Sequence, residues 1–317
     1  WMVLHSLWQG VAAAFLAALA LIALRNRPAM LRYRVANLAL AATLVAAAGT
    51  FFYYYDAPTA PAVLAQETIE QVAGSLPLPS QTFENQLAPL EPAQTSLLDA
   101  ATWQAYFSPH LPLIVLFWFI GMSVFLLRLL GNFACIHYFK NHLSFPVESY
   151  WEEVLQNLSQ RAGIRKTVQL LESALVRTPL MVGYLKPVIL FPVGMINRLD
   201  PKEAEAILAH ELAHILHHDY LLNFLQTFVE TLFYFHPAIW WLSAKIRQER
   251  EMAADDAAIR LTGNSVAYAK TLVMVQEMAF ARMPEGVAFA FAGTRKSQLF
   301  HRIQRILNIK SSKNFNM

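Results

Sequence analysis

The pattern of apolar and polar positions changes character near residue 140. Before that point it runs in long apolar stretches, at residues 3–24, 35–55 and 111–130, the last continuing past Arg128. About 20 apolar residues in a helix cross the hydrocarbon core of a bilayer, so each stretch predicts a transmembrane helix. The first is too long for a signal peptide and lacks a small-residue cleavage site, so it reads as an anchor. After residue 140 the apolar positions become periodic. Val154, Leu155 and Leu158 oppose Glu152, Glu153 and Gln156, which predicts an amphipathic helix over 149–161. Short apolar runs at 168–171, 174–176 and 188–191 predict a small sheet with an edge open to strand addition. Asp200-Pro201-Lys202-Glu203 combines an N-cap, a proline at the first helical position and a capping-box glutamate. Ala204, Ile207, Leu208, Leu212 and Ile215 follow at helical spacing. Another helix is predicted from Pro237 to about Leu261, ended by Thr262-Gly263-Asn264.

Composition agrees with a membrane protein. Apolar residues make up 56% and charged residues 15%, whereas soluble proteins carry about a quarter charged. The placement of charge predicts orientation. Arg25, Arg27, Arg32 and Arg34 crowd the link between the first two spans and mark it cytoplasmic. Residues 56–110 have no Lys or Arg but carry Asp56, Glu67, Glu70, Glu84, Glu91 and Asp99, so they read as an external, poorly structured loop. Three crossings then leave the N-terminus outside and everything after about Lys140 inside. The single Cys135 excludes an internal disulfide and reads as a small buried hydrophobe. No interleaving of aromatic and basic residues suggests direct nucleic-acid binding.

The candidate chemistry lies in His210-Glu211-Leu212-Ala213-His214. On a helix, His210 and His214 sit one turn apart on one face and can reach one metal ion. Glu211 beside them can act as a general base without binding the metal. A catalytic zinc site needs a third protein ligand and an open position. Glu251, on the helix beginning at Pro237, would supply that ligand, and Asp255 on the same face would receive the free N–H of a ligating histidine. A polar helix stripe for the histidines, and a solvated face for Glu251 and Asp255, would use the same residues without a metal. Residues 220–244 must connect the two helices. They are apolar enough for one crossing, which would put His210 and Glu251 on opposite faces, and two crossings need about 40 residues. A partly embedded helical hairpin, broken at His236-Pro237, is therefore predicted. Glu230 and His236 within it should face protein or water. His236 is a candidate for stabilising an oxyanion, but it, like His217 and His218, reads more readily as a structural histidine.

Three stretches carry a resemblance: 210–219, His236-Pro237-Ala238-Ile239-Trp240-Trp241, and Arg250-Glu251-Met252-Ala253-Ala254-Asp255-Asp256. Together with 178–192, which includes Gly183, they resemble the BlaR/MecR-type membrane zinc metallopeptidases, gluzincin receptors that sense β-lactams in some bacteria. The resemblance implies a mainly α membrane protein with three N-terminal spans and a cytoplasmic α+β zincin domain. It implies zinc on His210, His214 and Glu251, with Glu211 as base, and His236 and Gly183 as candidate substrate or oxyanion contacts. The implied division is 1–140 transmembrane, 141–294 peptidase and 295–317 a basic amphipathic juxtamembrane tail, in a bacterial inner membrane. The tail would lie on an anionic inner leaflet or flank a further span. Sensor members of the family continue into such a span and an extracellular penicillin-binding-type domain. The sensing part here is thus expected to follow in the intact gene or to be the membrane domain itself.

Three functions are compatible with these features. The first is a zinc endopeptidase that cuts a cytoplasmic regulator such as a transcriptional repressor, with autocleavage an option. The second is a housekeeping membrane protease, and the third a catalytically silent receptor or scaffold. The intact Glu211 argues against the third. The implied partners are a cytoplasmic protein substrate and the lipid bilayer, with a homodimer left open.

Overall fold

In the computed structural model, residues 1–56, 103, 106–142, 144–281 and 297–308 are described. Most of the loop expected at 56–110, the proposed boundary near 294 and the end of the tail lie outside these residues. Three helices are long and apolar enough to cross a membrane: Met2–Ala23, Ala29–Tyr55 and Ser108–Cys135. They belong to α1 (Met2–Ala23), α2 (Ala29–Asp56) and α3 (Leu111–His142). Each matches one predicted span. Cys135, expected to be buried, is exposed on α3.

Contacts group the chain into two units that divide these helices, Trp1–Gln9 with Thr43–Gly121 and Gly10–Ala42 with Met122–Met317. In the first, His5 Nε2 lies 3.0 Å from the Tyr54 hydroxyl and Gln9 Nε2 donates to Thr50 Oγ1 at 2.8 Å. These bonds, with Trp1 stacked on Tyr54, join the start of α1 to the end of α2.

The second unit contains a four-stranded mixed sheet in the order β1 (Ser144–Pro146), β2 (Gln169–Ser173), β4 (Val188–Pro192), β3 (Leu180–Val182). β4 runs parallel to β2 and antiparallel to β3, and every residue of β4 is buried. The run 174–176, expected to be a strand, is a bend at 174–175 followed by irregular chain at Val176. Val176 is buried there all the same. Its apolar character reflects burial rather than strand pairing, and the third extended partner is the later Leu180–Val182.

Helix α4 (Ser149–Arg161) buries Trp151, Leu155 and Leu158. These pack with Leu170, Ile189 and Phe191 of the sheet and with Ile207, Leu208, Leu212 and Ile215 of α5 (Pro201–Leu216). The predicted capping box starts α5, with both the Asp200 and Glu203 side-chain bonds made. α5 ends at His217, and His218 in the left-handed region (φ 58°) turns the chain into α6 (Asp219–Leu232). Residues 233–236 then turn the chain into α7 (Pro237–Thr262), capped by Gly263 at φ 77°. α8 (Ser265–Ala281) follows, and residues 297–306 form a last helix, α9.

His236 is almost fully buried at the N-cap of α7, where its Nδ1 accepts from the Ala238 N–H at 3.2 Å. A Cβ on Gly10 of α1 would stand 2.4 Å from His236 Nε2. Gly10 is therefore what lets α1 approach the turn between α6 and α7. Gly10→Ala is expected to destabilise the protein by about 1–3 kcal/mol through overpacking, lowering its thermal midpoint in detergent. Gly49→Ala, whose Cβ would meet nothing within 4 Å, is expected to leave the midpoint unchanged or raise it, since alanine favours a helix.

Candidate metal centre

Helix α5 presents His210 and His214 on one face, their rings 4.8 Å apart and nearly perpendicular. α7 packs along α5 and brings Glu251 Oε2 to 3.6 Å from His210 Nε2. One ligand atom from each of the three residues lies within 4.8 Å of the others. A tetrahedral zinc with bonds of about 2.0–2.1 Å would hold its ligand atoms roughly 3.4 Å apart. The three residues therefore fit a zinc ion with small side-chain adjustments. No other such trio of His, Cys, Asp or Glu occurs among the described residues.

The far side of each imidazole is anchored. His214 Nδ1 lies 2.7 Å from Asp219 Oδ2, a carboxylate only 4% exposed. Asp219 is five residues on from His214, off the face that a continued helix would offer. The left-handed His218 folds it back. His210 Nδ1 lies 2.8 Å from the hydroxyl of Tyr268 on α8, which donates to Asp255 Oδ1 at 2.7 Å. With each Nδ1–H donated outward, each Nε2 keeps its lone pair for a metal. Asp255 thus serves His210 through Tyr268, its own oxygen being 3.5 Å from the ring nitrogen. It also accepts two bonds from Arg302 of α9, at 2.6 and 2.9 Å, and the same guanidinium is 3.4 Å from Glu251. Arg305 pairs with Asp256. These arginines of the basic tail, expected to face lipid, turn onto α7 instead, Arg302 onto the buried Asp255, whose charge needs a partner, and Arg305 onto the half-buried Asp256.

Glu211 is buried and lines the same cavity of about 420 Å³ as the trio. Burial raises its carboxyl above the usual range, partly offset by the two histidines. Burial also opposes ionisation of Glu251, but the His210 contact and Arg302 outweigh it and hold that carboxyl well below its usual range. For His214, burial alone would lower the imidazole. The Asp219 bond and the Glu251 and Glu211 carboxylates prevail and raise it to about 9. Edge strand β3 adds Leu180 and Met181 to the cavity wall.

Neither His236 nor Gly183 lines that cavity. His236 sits at the opposite end of α7, about 22 Å from Glu251 at 1.5 Å of rise per residue. Gly183 lines a separate small cavity beside His214, and its positive φ and close approach to Lys186 O account for the glycine. Asp219 stood within the resembling stretch without a role, while Tyr268 and the contact made by Arg302 had no sequence signal.

The family described as BlaR1 peptidase M56 matches residues 57–306. The chain belongs to that family. Its members are metallopeptidases, and the family's curated relatives are distant from this chain. It is 26% identical over 143 residues to the regulatory protein BlaR1 of Bacillus licheniformis, covering 45% of this chain and 24% of that protein. It is 25% identical over 150 residues to the methicillin resistance mecR1 proteins of Staphylococcus aureus and Staphylococcus epidermidis, covering 47% of this chain and 25% of theirs. The chain thus spans about a quarter of the length of these relatives.

Two outcomes are expected for the metal. Purified protein should carry about one zinc per chain, falling sharply in His214→Ala, as read by elemental analysis. Zinc must also displace the proton that His214 holds below about pH 9. Apparent affinity should therefore rise with pH, up to about tenfold per unit between about pH 6.5 and 8 for one proton displaced. Chelator competition at several pH values measures this, and a flat profile would contradict it.

Proposed function

We propose that this protein is a gluzincin-type membrane zinc endopeptidase that transmits a signal by cutting a cytoplasmic regulator, such as a transcriptional repressor. One observation carries the peptidase reading: His210, His214 and Glu251 converge from two helices, with Glu211 buried beside them over a shared cavity. A metal held there would supply a Lewis acid and an acidified water. Glu211 would take a proton from the attacking water and return it to the leaving amine, a role favoured by a carboxyl raised by burial. β3 would receive the substrate. Among the described residues it is an edge strand, paired only with β4, and an extended peptide added to its outer side would run past Leu180 and Met181 toward the histidines.

The regulatory role is supported by the relatives' names, a regulatory protein and a methicillin resistance protein. The proposed arrangement has 1–140 as the membrane domain, 141–294 as a cytoplasmic peptidase domain and the segment 220–244 lying partway into the bilayer. The arginines at 25, 27, 32 and 34 support the inside placement.

Glu211→Gln is expected to retain zinc and lose peptide cleavage by about 10²–10⁴-fold, the usual contribution of a positioned base. Comparing cellular protein fragments between wild type and Glu211→Gln identifies substrates, and cleavage undiminished in the variant would sink the mechanism. Orientation has its own test. In a Cys135→Ser background, an impermeant thiol reagent should label a cysteine near Gln81 from outside and spare ones near Arg27 and Lys202. External labelling near Lys202 would exclude cytoplasmic substrates.

A further inference from the structure

Two adjacent residues at the start of α2 reach helices that build the metal centre. Tyr33 is completely buried, and its hydroxyl donates to Asp219 Oδ1 at 2.7 Å. The other oxygen of that carboxylate faces His214 Nδ1 at 2.7 Å. Arg32 donates through Nε to Glu249 Oε2 at 2.8 Å, two residues before Glu251 on α7. Its Nη1 also donates to the carbonyls of Arg25 and Arg27, binding the α1–α2 turn into the same joint. Ala29 packs against Met252 and Ala253 of α7 beside it. Consecutive helical residues point about 100° apart, so Arg32 holds α7 while Tyr33 meets the first residue of α6.

An aspartate anchors a histidine only as firmly as its own carboxylate is held. Asp219 begins α6, immediately after the left-handed His218, and its side chain has two rotatable bonds. A second bond, on the oxygen that His214 does not use, fixes the plane of the carboxylate. Tyr33 provides it from a helix that continues as an apolar span.

We propose that Tyr33 is a positioning residue for the metal centre, holding Asp219 in the orientation that fixes His214 and thereby tying metal geometry to the position of transmembrane helix α2. The proposal rests on His214 being a metal ligand. It makes the centre responsive to the membrane domain, since a displacement of α2 by about 1 Å takes a 2.7 Å hydrogen bond out of range.

The test uses cobalt(II) as the probe on the full chain in detergent, stripped of other metals. Affinity is read by titration and geometry by the visible absorption bands. Asp219→Asn should lower cobalt affinity by about 10–100-fold. Tyr33→Phe should lower it by about three- to tenfold, within the reach of a more distant partner, and shift the bands. The double variant should bind no more weakly than Asp219→Asn alone, because the hydroxyl acts only through that carboxylate. Wild-type affinity and bands in Tyr33→Phe, or losses that add in the double variant, would overturn the proposal, as would undiminished cobalt binding in His214→Ala. Thermal midpoints of the metal-stripped variants report folding. Should Tyr33→Phe not fold, 3-fluorotyrosine at position 33 keeps the shape and alters the donor, and unchanged bands would likewise overturn it. No substrate enters these measurements. A chain that binds cobalt as expected yet cleaves nothing refutes the peptidase reading and leaves this proposal standing.

Discussion

Two outward hydrogen bonds, one from each imidazole of α5, are the interactions on which the candidate metal centre depends. A histidine aims a lone pair at a metal only if its other nitrogen is held, and here the holders come from far along the chain. His210 leans on Tyr268, which leans on Asp255 and, through it, Arg302. His214 leans on Asp219, which leans on Tyr33. The same parts occur in opposite order, tyrosine then aspartate on one side, aspartate then tyrosine on the other. Every carboxylate in this arrangement is buried or nearly so, and an unpaired buried charge is costly. Helices α2, α6, α7, α8 and α9 each deliver one partner to this arrangement.

Local signals made the helices of the site legible. The cap at Asp200, the stop at Gly263 and the i,i+4 spacings of His210 with His214 and of Glu251 with Asp255 are encoded within a few residues. The fold then only had to bring two faces together. The three apolar spans were equally plain, since length and composition decide them. What stayed hidden depends on pairing at a distance. Val176 is as apolar as a strand residue but lies in irregular chain, because burial alone leaves the backbone partner unspecified. Tyr268 and Tyr33 carry no periodic mark. Asp219 was invisible to helical spacing for a definite reason: the helix ends before it, and one residue with positive φ resets the geometry.

The basic helix near the end of the chain shows a different limit. Alternating arginines and apolar residues suit an anionic lipid surface, but they equally suit a protein surface lined with aspartates. Arg302 and Arg305 meet Asp255 and Asp256, and Ile306 packs in the cluster around Tyr268. The pattern predicts a helix that seeks negative charge, and cannot say whether a phosphate or a carboxylate supplies it.

The wide separation of Tyr33 and Arg302 along the chain bears on biosynthesis. A ribosome adds roughly 5–20 residues per second, so the hydroxyl at one end of this network waits on the order of tens of seconds for the guanidinium at the other. Throughout that interval α1 and α2 can enter the membrane while α7 still lacks the cation that neutralises Asp255 and Glu251. Arg302 therefore arrives after the other partners of the network. In a nascent chain the residues that would hold the metal gain their last anchoring partner only when nearly all of the described chain has emerged.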